Sequence, residues 1–174
     1  MNKSKKIYTI ISGTNRVGSN TLYVAQEYQR ILQQKNIEAG LFSLENINLV
    51  NRDADFDTIE NNIIIPTTNY IFISPEYNGS YPGALKMFFD NSSSHAIWWN
   101  KKALLTGLSA GRAGNLRGMD HLAGVLNYLK ITVHPNQLPI SLIDKLLDEG
   151  GRFNDGNTIN AISRQLDEFI DWSR

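Results

Sequence analysis

The sequence predicts a doubly wound α/β fold, a parallel sheet with helices on both faces. Three observations predict it. Apolar, strand-like runs recur along the chain, at Ile7–Ile11, Ala39–Leu44, Tyr70–Ser74, Ala103–Leu108 and Ile131–Val133. Segments with helical spacing alternate with them, which implies parallel strands covered on both sides. The loops after the first, third and fourth runs are rich in glycine and hydroxyls, and such loops converge at the carboxyl edge of a doubly wound sheet.

The elements follow in order. After the first strand, Leu22, Ala25, Tyr28 and Leu32, with Val24 and Ile31 beside them, give the first helix an apolar face. Residues 45–62 are polar and weakly patterned, and no element is assigned there. Asp53, Asp55 and Asp57 alternate within that stretch, but they lack the glycine and distal glutamate of a calcium loop and read as solvated loop. Ile63–Ile65 is ambiguous, and Pro66 separates it from the third strand. Leu85, Phe88 and Phe89 mark a second helix at residues 82–92. Leu116, Met119, Leu122, Ala123, Leu126 and Leu129 mark a third. A last helix runs from about Thr158, with Ile159, Ile162, Leu166, Phe169 and Ile170 on one face. Five strands so spaced suggest the flavodoxin-like order 2-1-3-4-5, whose switch point lies between strands 1 and 3.

With 174 residues the chain fits one domain, residues 1–174. Its 41% hydrophobic and 20% charged residues are ordinary for a globular protein. A formal net charge of zero gives no footprint for nucleic acid or an anionic membrane. The absence of cysteine excludes disulfides, thiol chemistry and cysteine-bound metals. Lys3, Lys5 and Lys6 precede an apolar run too short for a signal-peptide core, and no stretch approaches a membrane span, so a cytoplasmic location is expected.

The loop Ser12–Asn20 carries the most information about function. Gly13 and Gly18 have the spacing of a nucleotide-triphosphate loop, but Ser19 and Asn20 stand where that loop needs lysine and Ser or Thr. The remaining donors suit a terminal monophosphate: Thr14, Ser19 and Thr21 hydroxyls, the Asn20 amide, the Arg16 fork and the N–H groups of a helix start. The plainer alternative makes Ser19 a helix cap. The second loop, Pro75-Glu76-Tyr77-Asn78-Gly79-Ser80-Tyr81-Pro82-Gly83, is a stiff turn that could hold the edge of a planar heterocycle, with Ser80 as a candidate cap. The third, Ser109–Gly118, brings Arg112 and Arg117, with Asn115 as a candidate cap. Contact to a flavin ring, capture of a phosphate and ion pairs at a subunit interface are all open to the two arginines.

Two of these stretches resemble the NAD(P)H-dependent FMN reductases, flavodoxin-like relatives of quinone, azo-dye and chromate reductases. Gly13-Thr14-Asn15-Arg16-Val17-Gly18-Ser19-Asn20-Thr21 resembles the family's Gly-Ser-x-Arg-x-x-Ser-x-Asn. Pro75–Lys86 is nearly complete as the second motif. The resemblance implies bound FMN, with NADPH or NADH as electron donor and a small-molecule acceptor. It places Thr14, Arg16, Ser19 and Asn20 or Thr21 at the FMN phosphate. Pro75, Glu76, Tyr77, Asn78 and Gly79 would border the ring, and Ser109 and Gly111, with Arg112 in the same loop, would close the other side. Thr21 and Met87 depart from the usual asparagines. The resemblance also implies a homodimer, and the aromatics Tyr81, Phe88, Phe89, Trp98 and Trp99 would either contribute apolar surface to it or fill the core beneath the helix at residues 82–92.

No catalytic side chain is nominated, because flavin chemistry needs none. His95, His121 and His134 lack metal-ligand spacing, and Gly-x-Ser-x-Gly is absent. The rival reading is a flavodoxin-type electron carrier or a non-catalytic FMN-binding protein. Carriers are usually strongly acidic, and this chain is neutral.

Overall fold

Ile10 and Ile11 set the plan of the molecule. Neighbours on a strand point to opposite faces, and in the computed structural model, which describes residues 6–174, the two isoleucines enter two different cores. Lys3 and Lys5 lie outside the described residues. β1 (Tyr8–Ser12) lies between β2 (Ala39–Ser43) and β3 (Asn69–Pro75), and β4 (Lys102–Leu108) lies beyond β3, all parallel. The register aligns Ile10, Ile71 and Leu104 on one face and Ile11, Phe72 and Leu105 on the other. The first row packs against Val24, Tyr28 and Leu32 of α1 (Asn20–Gln34) and Ile162, Leu166 and Phe169 of α5 (Gly156–Trp172). The second packs against Phe88 and Phe89 of α3 (Gly83–Asp90) and Leu122 and Leu126 of α4 (Leu116–Tyr128). Trp98 is fully buried in this second core, against Tyr70, Phe88 and Phe89. Trp99 remains exposed, with the Lys130 ammonium 3.7 Å from its ring centre.

The order is 2-1-3-4-5 with helices on both faces, as expected. The fifth position holds two short strands instead of one. β5 (Thr132–Val133) pairs with Lys102 and Ala103, and β6 (Leu138–Ile140) pairs with Thr106 to Leu108. Between these pairings β4 has Leu104 and Leu105, whereas the fifth strand has His134 to Gln137, Pro135 included, so the ladder breaks. Gln165 of α5 fills the break. Its Nε2 donates to Leu105 O at 3.0 Å and Asn136 O at 2.9 Å. Its Oε1 accepts from Tyr28 at 2.5 Å and Thr106 at 3.1 Å. Burial pushes the Tyr28 phenol far above its ordinary range, against a smaller opposing effect of Thr106, so the hydroxyl stays a donor.

Residues 45–62 also differ from the expectation. Asp53 caps α2 (Ala54–Ile59), its carboxylate accepting from Phe56 N at 2.9 Å, while Arg52 pairs with Asp57 and Glu60. These aspartates therefore belong to a helix start, where acids are favoured, and not to a solvated loop. A π-helical turn, Glu60–Ile64, continues the helix and claims the ambiguous isoleucines. Lys101 closes it, donating to Ile64 O, Ile65 O and Thr67 O at 2.5, 3.0 and 2.6 Å. Burial draws that ammonium down to about 8.

Candidate active site

The loops after β1, β3 and β4 meet at the carboxyl edge of the sheet, around an open cleft of about 450 Å³. Of the residues expected at a cofactor, Arg16, Ser19, Asn20, Thr21, Pro75, Glu76, Tyr77 and Ser109 line it. Thr14, Asn78, Gly79, Gly111 and Arg112 do not.

The first loop is built on Gly13, whose N–H donates to Ile73 O at 2.8 Å. A Cβ there would lie 2.8 Å from the same carbonyl, so only glycine fits. Ser19 occupies the N-cap position of α1, but its hydroxyl caps nothing. Ser19 Oγ is buried without a hydrogen-bond partner. Buried hydroxyls almost always have one. The first turn of α1 contains no acid; Leu22 N donates to Ser19 O at 2.9 Å, and the N–H groups ahead of it precede any helical acceptor. A buried hydroxyl without a partner beside free N–H groups and a positive helix end fits a terminal phosphate.

The neighbouring side chains are already engaged. Thr14 is fully buried, with Oγ1 2.8 Å from the Tyr77 hydroxyl, and it accepts from Arg16 N at 3.3 Å. It fastens the first loop to the second from beneath the cleft. The Arg16 guanidinium lies over the Tyr77 ring, 4.0 Å from its centre. Asn20 Nδ2 donates to Asp144 Oδ1 at 2.7 Å.

In the second loop Tyr77 and Ser80 exchange backbone hydrogen bonds of 2.9 and 3.1 Å, with φ of +53° at Asn78 and +74° at Gly79. This is the Asn-Gly tight turn that needs left-handed backbone at both central positions. Asn78 and Gly79 shape the turn and stand outside the cleft lining. Ser80 caps no helix: Pro82 takes the cap position of α3, and Ser80 Oγ lies 2.9 Å from His121 Nδ1. Glu76 accepts from Asn115 N at 3.2 Å. Asn115 braces the loop in place of capping α4, with Nδ2 donating to Ser74 O and Pro75 O at 2.9 and 3.1 Å. In the third loop Ser109 Oγ accepts from Gly114 N at 2.9 Å and donates to Gly111 O at 3.0 Å. Arg112 is exposed, and its carbonyl accepts from Ser141.

Ile143 and Asp144 also line the cleft. They sit on a 3-10 turn, Ile143–Lys145, entered through Leu142 at φ +53°. Leu142 N and Ile143 N donate to Gly111 O and Ser109 O at 2.9 and 3.1 Å. This fourth loop follows β6. Recognition of residues 138–140 as the end of the fifth strand would have located it.

The histidines take structural places. His134 packs edge-on against Phe169 and Trp172, and burial holds its pKa below the ordinary value. His95 packs on Tyr128. Among the described residues no three His, Asp or Glu side chains gather to hold a metal ion, and no helix is long and apolar enough to cross a membrane.

Known proteins resemble this chain in sequence and in fold. The sequence profile described as NADPH-dependent FMN reductase matches residues 6–144, a span that includes all the cleft loops. A 2-hydroxy-1,4-benzoquinone reductase of a Burkholderia species is 27% identical over 129 residues, 70% of each protein. An NAD(P)H-dependent FMN reductase of Pseudomonas aeruginosa is 36% identical over 109 residues, 60% of this chain and 58% of that one. In fold, the flavoenzyme NAD(P)H:(acceptor) oxidoreductase FerB of Paracoccus denitrificans superposes with a TM-score of 0.82 at 22% identity, over 97% of each chain. Oxidised flavodoxin 2 of Bacillus cereus superposes less closely, at 0.65 and 16% identity, over 97% of this chain and 99% of that one. With the family profile spanning the sheet from β1 to the loop after β6, this chain belongs to the NADPH-dependent FMN reductase family.

Proposed function

We propose that the 450 Å³ cleft is the FMN site of this chain, with the phosphate at Ser19 and the start of α1. Family membership makes the protein an FMN-dependent NAD(P)H oxidoreductase, passing electrons from a nicotinamide nucleotide to a small acceptor. The observation that supports this placement best is the buried Ser19 hydroxyl without a partner. In this reading Ser19, Thr21 and the helix N–H groups hold the phosphate, Arg16 adds a charged fork, and Asn20 contributes the amide hydrogen that Asp144 leaves free. Pro75, Glu76, Tyr77 and Ser109 wall the ring. Thr14 acts through Tyr77, while Asn78, Gly79, Gly111 and Arg112 form and flank the loops.

When bound, FMN accepts and delivers hydride. The chain's own residues orient the reactants and exclude water. The rigid turn fixes the Tyr77 wall, Leu108 and Ile143 supply apolar lining, and no side chain is assigned a proton. A small quinone or free flavin is the proposed acceptor class, as the names of the two relatives suggest. The cytoplasm is the proposed location. Purified protein is expected to bind FMN stoichiometrically and to oxidise NADPH or NADH at steady state with such an acceptor. FMN binding without turnover would favour the electron carrier instead.

A homodimer is part of the proposal. A groove of about 410 Å³ between α3 and α4 is lined by Phe89, Val125, Tyr128 and Leu129, and Tyr128 is 74% exposed. Aromatic anchors of this kind mark interfaces, and two-fold pairs are the commonest assemblies. Sedimentation at micromolar concentration should give twice the 19.6 kDa chain mass. A monomer with full turnover would show that one chain completes the active site.

A further inference from the structure

The arginines of this chain divide into two groups. Arg30, Arg52, Arg152, Arg164 and Arg174 each lie 2.5–3.8 Å from a carboxylate. Arg16, Arg112 and Arg117 have no such partner among the described residues, and all three are exposed at the loops of the carboxyl edge. This places three arginines without an ion-pair partner on the loops around a cleft that holds two carboxylates, Glu76 and Asp144.

Two of the three rest on one four-residue turn. Arg16 lies over the Tyr77 ring, and both residues line the cleft. Arg117, in the first turn of α4, lies against Gly79: a Cβ on that glycine would come within 3.0 Å of Arg117 Nη1. The turn needs glycine for its φ of +74°. The cleft carboxylates Glu76 and Asp144 accept from neutral donors, Asn115 N and the Asn20 amide, and among the described residues neither forms an ion pair with an arginine. A planar guanidinium beside a glycine matches the two oxygens of a carboxylate or sulfonate, or the adjacent oxygens of an ionised hydroxyquinone.

We propose that Arg117 makes this enzyme selective for anionic aromatic acceptors, quinones bearing a negative group that pairs with the guanidinium at the Tyr77–Ser80 turn. The proposal rests on the reading that FMN binds in the cleft beside that turn. The reaction is balanced without any further reductant. NADPH gives up a hydride, two electrons and one proton, solvent supplies the second proton, and the quinone leaves as the hydroquinone.

The test uses FMN-loaded protein at saturating NADPH with 1,4-naphthoquinone-2-sulfonate and uncharged menadione as acceptors. Arg117→Gln should lower kcat/KM for the sulfonate about tenfold more than for menadione, the intrinsic reactivities cancelling in the variant-to-wild-type ratio. Arg117→Lys should recover part of the loss, and the wild-type preference should shrink as salt rises. Calorimetric titration with naphthalene-2-sulfonate, which is redox-inert, should show a matching tenfold loss of affinity in Arg117→Gln. Equal effects on both quinones would overturn the proposal. So would a rise in KM for NADPH with the quinone ratio unchanged, which would assign the arginine to the nucleotide. A wild-type protein that binds no FMN would overturn the cleft assignment itself, and this inference with it; direct FMN titration separates that failure from the others.

Discussion

Gln165→Leu is expected to cost about 3–5 kcal/mol of stability, although glutamine and leucine have similar volumes. The substitution leaves Leu105 O and Asn136 O without their donor and removes the acceptor shared by Tyr28 and Thr106. Each buried polar group so orphaned costs about 1–3 kcal/mol. The side chain is 1% exposed, so water cannot replace the lost bonds without opening the core between α1, α5 and the sheet. Denaturant midpoints with unchanged slope would measure the loss. Gln33→Leu, at an exposed position of α1, is the control and should stay within about 0.5 kcal/mol. A loss below 1 kcal/mol at Gln165 would mean that the break between β5 and β6 satisfies its own backbone.

Ser19→Ala and Arg16→Ala should each weaken FMN binding by about 10- to 150-fold, the effect of losing a hydrogen bond to a charged group worth about 1.5–3 kcal/mol. Stability should change little. Ser19 Oγ caps nothing in the protein alone, and Arg16 is an exposed loop residue whose guanidinium lies on the Tyr77 ring. The opposite pattern, lost stability with unchanged FMN affinity, would make both residues structural. Arg16 must leave or share its place on Tyr77 to reach a phosphate, so its effect should be the smaller of the two.

Much of this was legible in the sequence because it rests on local periodicity. The runs that became β1 to β4 and the apolar faces of α1, α4 and α5 follow from spacing alone. What was not legible depends on partners distant in sequence. The break in the fifth strand is held by Gln165, 60 residues from Leu105, and a single glutamine in an amphipathic helix carries no signal. α2 was hidden because its six residues bury only Phe56 fully, and its start depends on the Asp53 cap. In the site, residue types identified the first loop, but not that Thr14 turns beneath it toward Tyr77 or that Asn20 meets Asp144. The Asn78-Gly79 pair is legible as a tight turn, since its left-handed backbone is what that dipeptide favours.

The central claim is that the loop from Gly13 to Ser19 is a phosphate site for FMN. Paired titrations of the apoprotein with FMN and riboflavin test it most directly, because the two ligands differ only in the phosphate. Wild type is expected to bind FMN at least about tenfold more tightly than riboflavin, and Ser19→Ala to narrow the gap by weakening FMN alone. Equal affinity of the wild-type protein for the two flavins would contradict it.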